Sequence, residues 1–376
     1  MLDALKITGY RRYDNLSLQP LGKVNFILGN NNIGKTTILE SVFAWACGQS
    51  IVPFVNVPLT RCRYRFYQSP YIMMEELLSA IHDRSSFPFH MSFSGSLDGK
   101  TESFEHTIYP SELLSEYDSS YKSDKGRLDW SLKDTVVQTA SSENLQWGSI
   151  PQVSIAKWTV THNKEDNIDV NLSVPFQNIV TVKPFHNARF VDLLAFTSMV
   201  EIVQVYASLK RQHLLNSVVE QMNRVFPDIA EFDMIPYPDG SQSPVSIVKK
   251  DGTMLPIYAY GDGVQKWFYL IGTFSLNRGS IICIDEVDVG FHPTAQKTFC
   301  SHVIHAAMEN QVQLFLTTHN IEFMDKFLSA AQELDSQSKK EIRILSIRES
   351  EHGIHIRNID AEEARQARDV LNLELR

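Results

Sequence analysis

The chain has 376 residues, 43% of them hydrophobic and 21% charged, and a formal net charge of −9. This length can bury a substantial core in a globular protein, and no apolar run is long enough for a membrane-spanning helix. The acidic balance excludes whole-surface attraction to nucleic acid but leaves a local basic groove open, and Cys47, Cys62, Cys283 and Cys300 lack both CxxC pairing and the density of a secreted disulfide scaffold.

In chain order, Met1-Leu2-Asp3-Ala4 enters an alternating apolar stretch without the charged and apolar regions of a signal peptide, so a cytoplasmic address is expected. Lys23–Leu28 (KVNFIL) reads as a buried strand. It feeds Gly29-Asn30-Asn31-Asn32-Ile33-Gly34-Lys35-Thr36-Thr37, which matches G-x-x-x-x-G-K-[ST]. A helix follows from Thr37 to about Cys47, with Ile38, Leu39, Val42, Phe43 and Ala46 at helical spacing. Glycines let successive backbone N–H groups converge on phosphate oxygens, and the helix N-terminus adds partial positive charge. Lys35 is then placed to reach the β- and γ-phosphates of ATP, and the Thr36 hydroxyl to ligate Mg²⁺.

Residues 1–50 are read as the nucleotide-binding edge of a sheet. From Thr60 to Tyr67 arginines alternate with apolar or aromatic residues, so Arg61, Arg63 and Arg65 share one face of a strand. They can grip a nucleic-acid backbone or nucleotide phosphates, or form a solvated face paired with carboxylates. Ser86–Pro110 alternates around Leu97-Asp98-Gly99-Lys100 and reads as a hairpin. Residues 111–150, rich in Ser, Asp and Lys, read as a surface insertion, and Val153–His162 with Ile168–Val174 as another strand pair. Phe190–Phe226 reads as one long helix or two joined ones, with an apolar stripe of Leu194, Val200, Val203, Leu209, Leu214, Val218, Met222 and Val225. It either packs on the body or forms a short arm. Lys210, Arg211 and His213 make a second, weaker basic cluster.

Tyr260-Gly261-Asp262-Gly263 opens another apolar helix, and glycines at a helix start suit anion binding. Ser280–Ile284 is a continuous apolar strand ending in Asp285-Glu286. Carboxylates there suit Mg²⁺ positioning (Asp285) and general-base activation of water (Glu286). Val312–Thr317 is a third such strand, ending in Thr318-His319-Asn320, with His319 placed to hydrogen-bond a γ-phosphate. Glu341 to the C-terminus reads as strands Ile342–Ile347 and Gly353–Asn358 and a closing helix.

The run IDEVDVGFHP (Ile284–Pro293) followed by TTHN (Thr317–Asn320), with the opening up to GNNNIGKTT, resembles ABC-type ATPases of the SMC/RecF/OLD-like group. Members of that group recur in bacterial anti-phage systems such as Septu, PARIS, Gabija and certain retrons. The resemblance covers residues 1 to about 48 and about 190 to 376. It implies an α/β P-loop NTPase fold, with a mixed RecA-like sheet, an antiparallel β subdomain beside the adenine and a helical insertion. It also implies that Gly261-Asp262-Gly263 is the signature motif, meeting the γ-phosphate held by a partner copy, and that Asp288 and His292 lie in the loop crossing between two sites. Relatives with a full signature carry serine where Gly261 stands, which implies slow turnover. Nothing after His319 matches the acidic constellation of a TOPRIM nuclease or an HNH cluster, so a separate effector protein is expected.

The resulting division is a single ATPase domain: residues 1–50 as the phosphate-loop lobe, 51–185 as the antiparallel subdomain with its insertion, 186–230 as a helical segment or arm, and 231–376 as the lobe of signature, acidic strand and histidine. The expected activity is ATP hydrolysis with Mg²⁺ in a homodimer or higher even-numbered oligomer. The alternatives are a RecF- or Rad50-like repair head, binding nucleic acid through Arg61, Arg63 and Arg65, and a non-hydrolysing module held by ATP.

Overall fold

The computed structural model describes residues 1–54, 88–110, 153–174, 182–192, 195–196, 198–235, 243–289, 293–351 and 353–371. The expected insertion at 111–150, the arginine segment with Arg61, Arg63 and Arg65, and His292 lie outside them. Among the described residues no helix is long and apolar enough to cross a membrane.

The continuous apolar runs become the parallel part of a six-stranded sheet. Its strands are β3 (Val24–Gly29), β8 (Ala188–Val191), β12 (Ile281–Ile284), β13 (Gln313–Thr317), β14 (Ile342–Ser350) and β15 (Gly353–Asp360), in the order β15-β14-β3-β13-β12-β8. All neighbours run parallel except β14 and β15. β3, β12 and β13 are buried at every position because both of their faces are covered. Phe26, Ile282, Ile284, Leu314, Leu316 and Ile344 face one core, and Ile27, Ile281, Cys283, Phe315 and Leu345 face the other.

The second core holds α1 (Lys35–Cys47) between this sheet and a six-stranded antiparallel one. The latter comprises β1 (Leu2–Tyr10), β2 (Tyr13–Leu18), β4 (Phe89–Leu97), β5 (Lys100–Pro110), β6 (Val153–His162) and β7 (Asp166–Val174), in the order β2-β1-β4-β5-β6-β7. Trp45 of α1 is fully buried, and its indole N–H donates to the Glu102 carbonyl at 3.0 Å. Gly95 of β4 gives this ring its space, since a Cβ there would stand 2.5 Å from Trp45 Cε2. One amide joins the two sheets: Gln313 of β13 donates to the carbonyls of Leu2 and Gly22, both at 2.8 Å, and accepts from Leu2 N–H at 3.0 Å.

The first core is covered by α2 (Met199–Arg211), α3 (Leu215–Asn223), α4 (Asp262–Leu276), α5 (Pro293–Glu309), α6 (Ile321–Ala331) and α8 (Ala361–Leu371), with the short α7 (Ser336–Lys340) before β14. A small sheet of β9 (Ile229–Asp233), β10 (Ser246–Lys249) and β11 (Met254–Pro256), in the order β11-β10-β9, precedes a 3₁₀ turn at Ile257–Tyr260 that leads into α4.

Three expectations need correction. The segment from Phe190 begins in a strand, β8, and becomes helical only at Met199; Ala188–Val191 pairs with β12 in register, and that long-range ladder outweighs the helical reading of Phe190 and Val191. Val200 leaves the apolar stripe, being 66% exposed, because the face of α2 turned to the core carries Ile202, Val205, Tyr206 and Leu209. Residues 1–50 do not form an edge: β3 lies between β14 and β13, while β1 and β2 belong to the antiparallel sheet.

Candidate functional site

The carboxyl ends of β3, β12 and β13 carry the motif residues to one place. After β3 the chain turns through Asn30–Gly34 into α1, whose N-terminus has no side-chain cap and no acidic residue in its first turn. Gly34 has φ 96°, and a Cβ there would lie 2.5 Å from the Tyr13 hydroxyl, so only glycine fits without strain. The Ile33 side chain is buried beneath the loop, and Tyr13 donates to the Ile33 carbonyl at 3.1 Å.

Lys35 is 4% exposed, and its ammonium donates to the carbonyls of Gly29 at 2.7 Å and Asn30 at 2.9 Å. It also lies 3.1 Å from His319 Nδ1. An ammonium can only donate, so Nδ1 accepts and the ring proton sits on Nε2, which faces Glu286 Oε1 at 3.5 Å. His319 thus stands between the loop lysine and the acidic strand. Asn320 anchors it by capping α6, accepting from the N–H groups of Glu322 and Phe323.

Thr36 donates to both Asp285 oxygens, at 3.2 and 3.0 Å, and Thr317 donates to Asp285 Oδ1 at 2.6 Å. The Thr317 hydroxyl also accepts from Glu286 N–H at 2.9 Å. Glu286 has φ 50°, a left-handed conformation that is costly for a residue with a Cβ. It is held there by Thr317 and by the turn that follows, where Val287 N–H donates to the Thr317 carbonyl at 3.0 Å and Val289 N–H to the Glu286 carbonyl at 3.2 Å. Thr318 donates to Asp288 Oδ1 at 2.5 Å, so Asp288 is tied to the histidine strand.

Lys35, Thr36, Glu286 and His319 line a cleft of about 640 Å³ together with Arg11, Arg12, Asn31, Asn32, Gly34 and Thr37, and Asp285 lies behind Thr36. That volume lies within the range of small-molecule sites. Arg11 and Arg12, at the β1–β2 turn, are the site residues that sequence reasoning missed. Arg12 donates to the Asn32 carbonyl and to Glu349 Oε1. Arg11 pairs with the buried Glu40 of α1 at 2.9 Å, and Glu40 also accepts from Tyr10. Burial opposes the Arg11 charge, but Tyr10 and Glu40 outweigh it and hold the guanidinium pKa above its usual value. The signal for these residues was two adjacent arginines between two alternating apolar stretches, which by sequence alone reads as a solvated turn. They are also the contribution of the antiparallel sheet to the cleft.

The donor set fits a magnesium nucleotide. Among the described residues no group of three His, Cys, Asp or Glu side chains could hold a metal ion alone. A Thr36 hydroxyl beside an Asp285 carboxylate, with phosphate oxygens and water completing the shell, is the kind of sparse protein ligation Mg²⁺ accepts. Gly261, Asp262 and Gly263 are not among the cleft residues. They open α4 without a side-chain cap, and a Cβ on either glycine would meet nothing within 4 Å.

The sequence family described as "AAA domain, putative AbiEii toxin, Type IV TA system" matches residues 24–325. The chain belongs to this family. It is 21% identical over 355 residues to an ATP/GTP phosphatase of Helicobacter pylori, an alignment covering 89% of this chain and 90% of that protein. A shorter stretch of 46 residues is 46% identical to the DNA replication and repair protein RecF of Clostridium acetobutylicum, covering 12% of this chain and 13% of RecF. Among solved structures, an Smc head bound to the C-winged helix domain of ScpA is similar with a TM-score of 0.50 at 12% identity, covering 97% of this chain and 99% of that one. The fold of this family member is therefore that of a P-loop ATPase head of the SMC and RecF kind.

Proposed function

We propose that the chain is an ATP-hydrolysing switch in which two copies associate head-to-tail around ATP. The observation that carries this reading is the convergence of Lys35, Thr36, Glu286 and His319 from three strand ends on one cleft, with Asp285 bonded to Thr36 at its wall. Backbone N–H groups of Asn30–Thr37 and the Lys35 ammonium would hold the phosphates. Mg²⁺ on Thr36 and Asp285 would neutralise charge developing on the β- and γ-oxygens. Glu286 would take the proton of the attacking water, with His319 registering the γ-phosphate between Lys35 and Glu286. The uncapped, open start of α4 at Gly261-Asp262-Gly263 would meet the γ-phosphate of the other copy.

Steady-state ATP hydrolysis by the wild-type chain, Glu286→Gln and Lys35→Ala, with light scattering on each, tests this. Turnover lost in both variants, with ATP and the dimer retained only in Glu286→Gln, supports the reading. Wild-type ATP binding without turnover refutes it in favour of a scaffold locked by nucleotide.

The family's toxin–antitoxin description and the resemblance of IDEVDVGFHP and TTHN to defence ATPases support a role as sensor or scaffold for a separate effector in anti-phage defence. The RecF-like stretch favours a second reading, a DNA-repair head. That reading requires duplex DNA to stimulate turnover, and replacing Arg61, Arg63 and Arg65 to abolish the stimulation.

A further inference from the structure

Lys266 lies in α4, three residues beyond Gly263, and is 2% exposed. Its ammonium donates to the carbonyls of Val287 and Val289, both at 2.6 Å, and stands 4.3 Å from the centre of the Phe196 ring. Burial pushes its pKa down to about 7, and Asp288 acts in the opposite direction. A buried ammonium is costly, and this one is offset by the two carbonyls it bonds. Its bonds thus go to the turn after β12.

The two carbonyls belong to the turn that carries Glu286. On its other side the turn is fastened to the end of β13 and the residue after it: Glu286 N–H donates to the Thr317 hydroxyl, Val287 N–H to the Thr317 carbonyl, and the Thr318 hydroxyl to the Asp288 carboxylate. The acidic turn is thus clamped between the strand leading to His319 and the helix that begins at Gly261-Asp262-Gly263. Any displacement of that helix reaches the two carbonyls through short bonds, and Glu286, in a left-handed conformation, has little latitude to absorb it.

We propose that Lys266 is a positioning residue, which sets Glu286 in line for water activation according to the position of the glycine-rich start of α4. This rests on the reading of Glu286 as general base and of that helix start as the part that meets a partner's nucleotide. In effect, Lys266 makes the base competent when the helix start is engaged, linking association to hydrolysis.

The test compares Lys266→Met, which has similar length and no donor, with Lys266→Gln, which keeps one donating group. ATP turnover, ATP affinity and thermal midpoint are measured on each, beside the wild type and Glu286→Gln. The expected result is a kcat ordered wild type, Gln, Met, with Met at least tenfold below wild type, while KM and ATP affinity stay near wild type and the fold remains intact at the assay temperature. ATP-dependent association of the Lys266→Met, Glu286→Gln double variant should match that of Glu286→Gln alone. Equal kcat in wild type and Lys266→Met overturns the coupling while leaving the ATPase reading intact. A fall in ATP affinity or association matching the loss of kcat overturns it in favour of a structural role. A wild type whose turnover survives Glu286→Gln refutes the general-base reading, and the coupling with it.

Discussion

Thr317 offers the most direct test of how the acidic strand is held. Its hydroxyl donates to Asp285 and accepts from Glu286 N–H, and the residue is 1% exposed. Thr317→Val keeps shape and β-branching but removes both bonds. A hydrogen bond to a charged group contributes about 1.5–3 kcal/mol, and a buried donor left without its acceptor costs about 1–3 kcal/mol. Asp285 retains the Thr36 hydroxyl, and water can reach the half-buried turn, so a net destabilisation of about 2–4 kcal/mol is expected. If about half of that falls on the placement of Glu286 in the transition state, kcat drops about 5–30-fold, since each 1.36 kcal/mol is tenfold in rate. Thermal unfolding and phosphate release are the assays, with ATP affinity as the control for an intact cleft. Thr317→Ser keeps the hydroxyl and loses one methyl, about 0.8 kcal/mol of burial, so its kcat should stay within about threefold of wild type. Wild-type stability and turnover in Thr317→Val, or an equal loss in Thr317→Ser, refutes the reasoning.

Gly34→Ala should abolish ATP binding in a titration with labelled nucleotide, because the new Cβ meets the Tyr13 hydroxyl at 2.5 Å and the φ of 96° is strained for alanine. Arg12→Ala should raise KM for ATP about tenfold with kcat nearly unchanged, since Arg12 lines the cleft and fixes the Asn32 carbonyl, whereas its pairing with the exposed Glu349 is worth little. His106 is fully buried, burial pushes its pKa down to about 3, and the Trp158 indole donates to its Nδ1 at 3.2 Å. An unfolded histidine takes up its proton near pH 6.5, so the unfolded chain binds that proton first; the contribution to stability is complete above that pH and drains away as pH falls toward 3. His106→Gln keeps an acceptor for Trp158 and should flatten acid sensitivity in that window, read by tryptophan fluorescence; an unchanged acid transition contradicts this.

The parallel strands and their motifs were legible because burial on both faces writes itself as an uninterrupted apolar run, as in Ile281–Ile284 and Gln313–Thr317, and the polar residues that break such a run stand out. The hairpin of β4 and β5 was legible from strict alternation around Asp98-Gly99. What escaped depends on partners far along the chain. The four residues Ala188–Val191 are a strand only because β12 supplies the ladder, and β9, β10 and β11 are too short to carry a period. That β1 and β2 leave β3 to join the antiparallel sheet is a matter of register, which no local pattern contains. Arg11 and Arg12 enter the cleft only through that arrangement. Likewise, Lys266 is a surface-type residue by composition, and its burial follows from the packing of α4 against the turn after β12.

The position of β3 bears on how the protein is made. Val24 pairs with Leu314 on one side and Ile342 on the other, so both flanks of this strand wait for residues made long after it. Contacts so distant in sequence form slowly, and an unpaired apolar strand is prone to aggregate in the interval. The phosphate loop and its helix are made well before Glu286 and His319, which reach the cleft only when β12 and β13 dock beside β3. A chain stalled before β12 therefore lacks Glu286 and His319 and cannot complete the cleft.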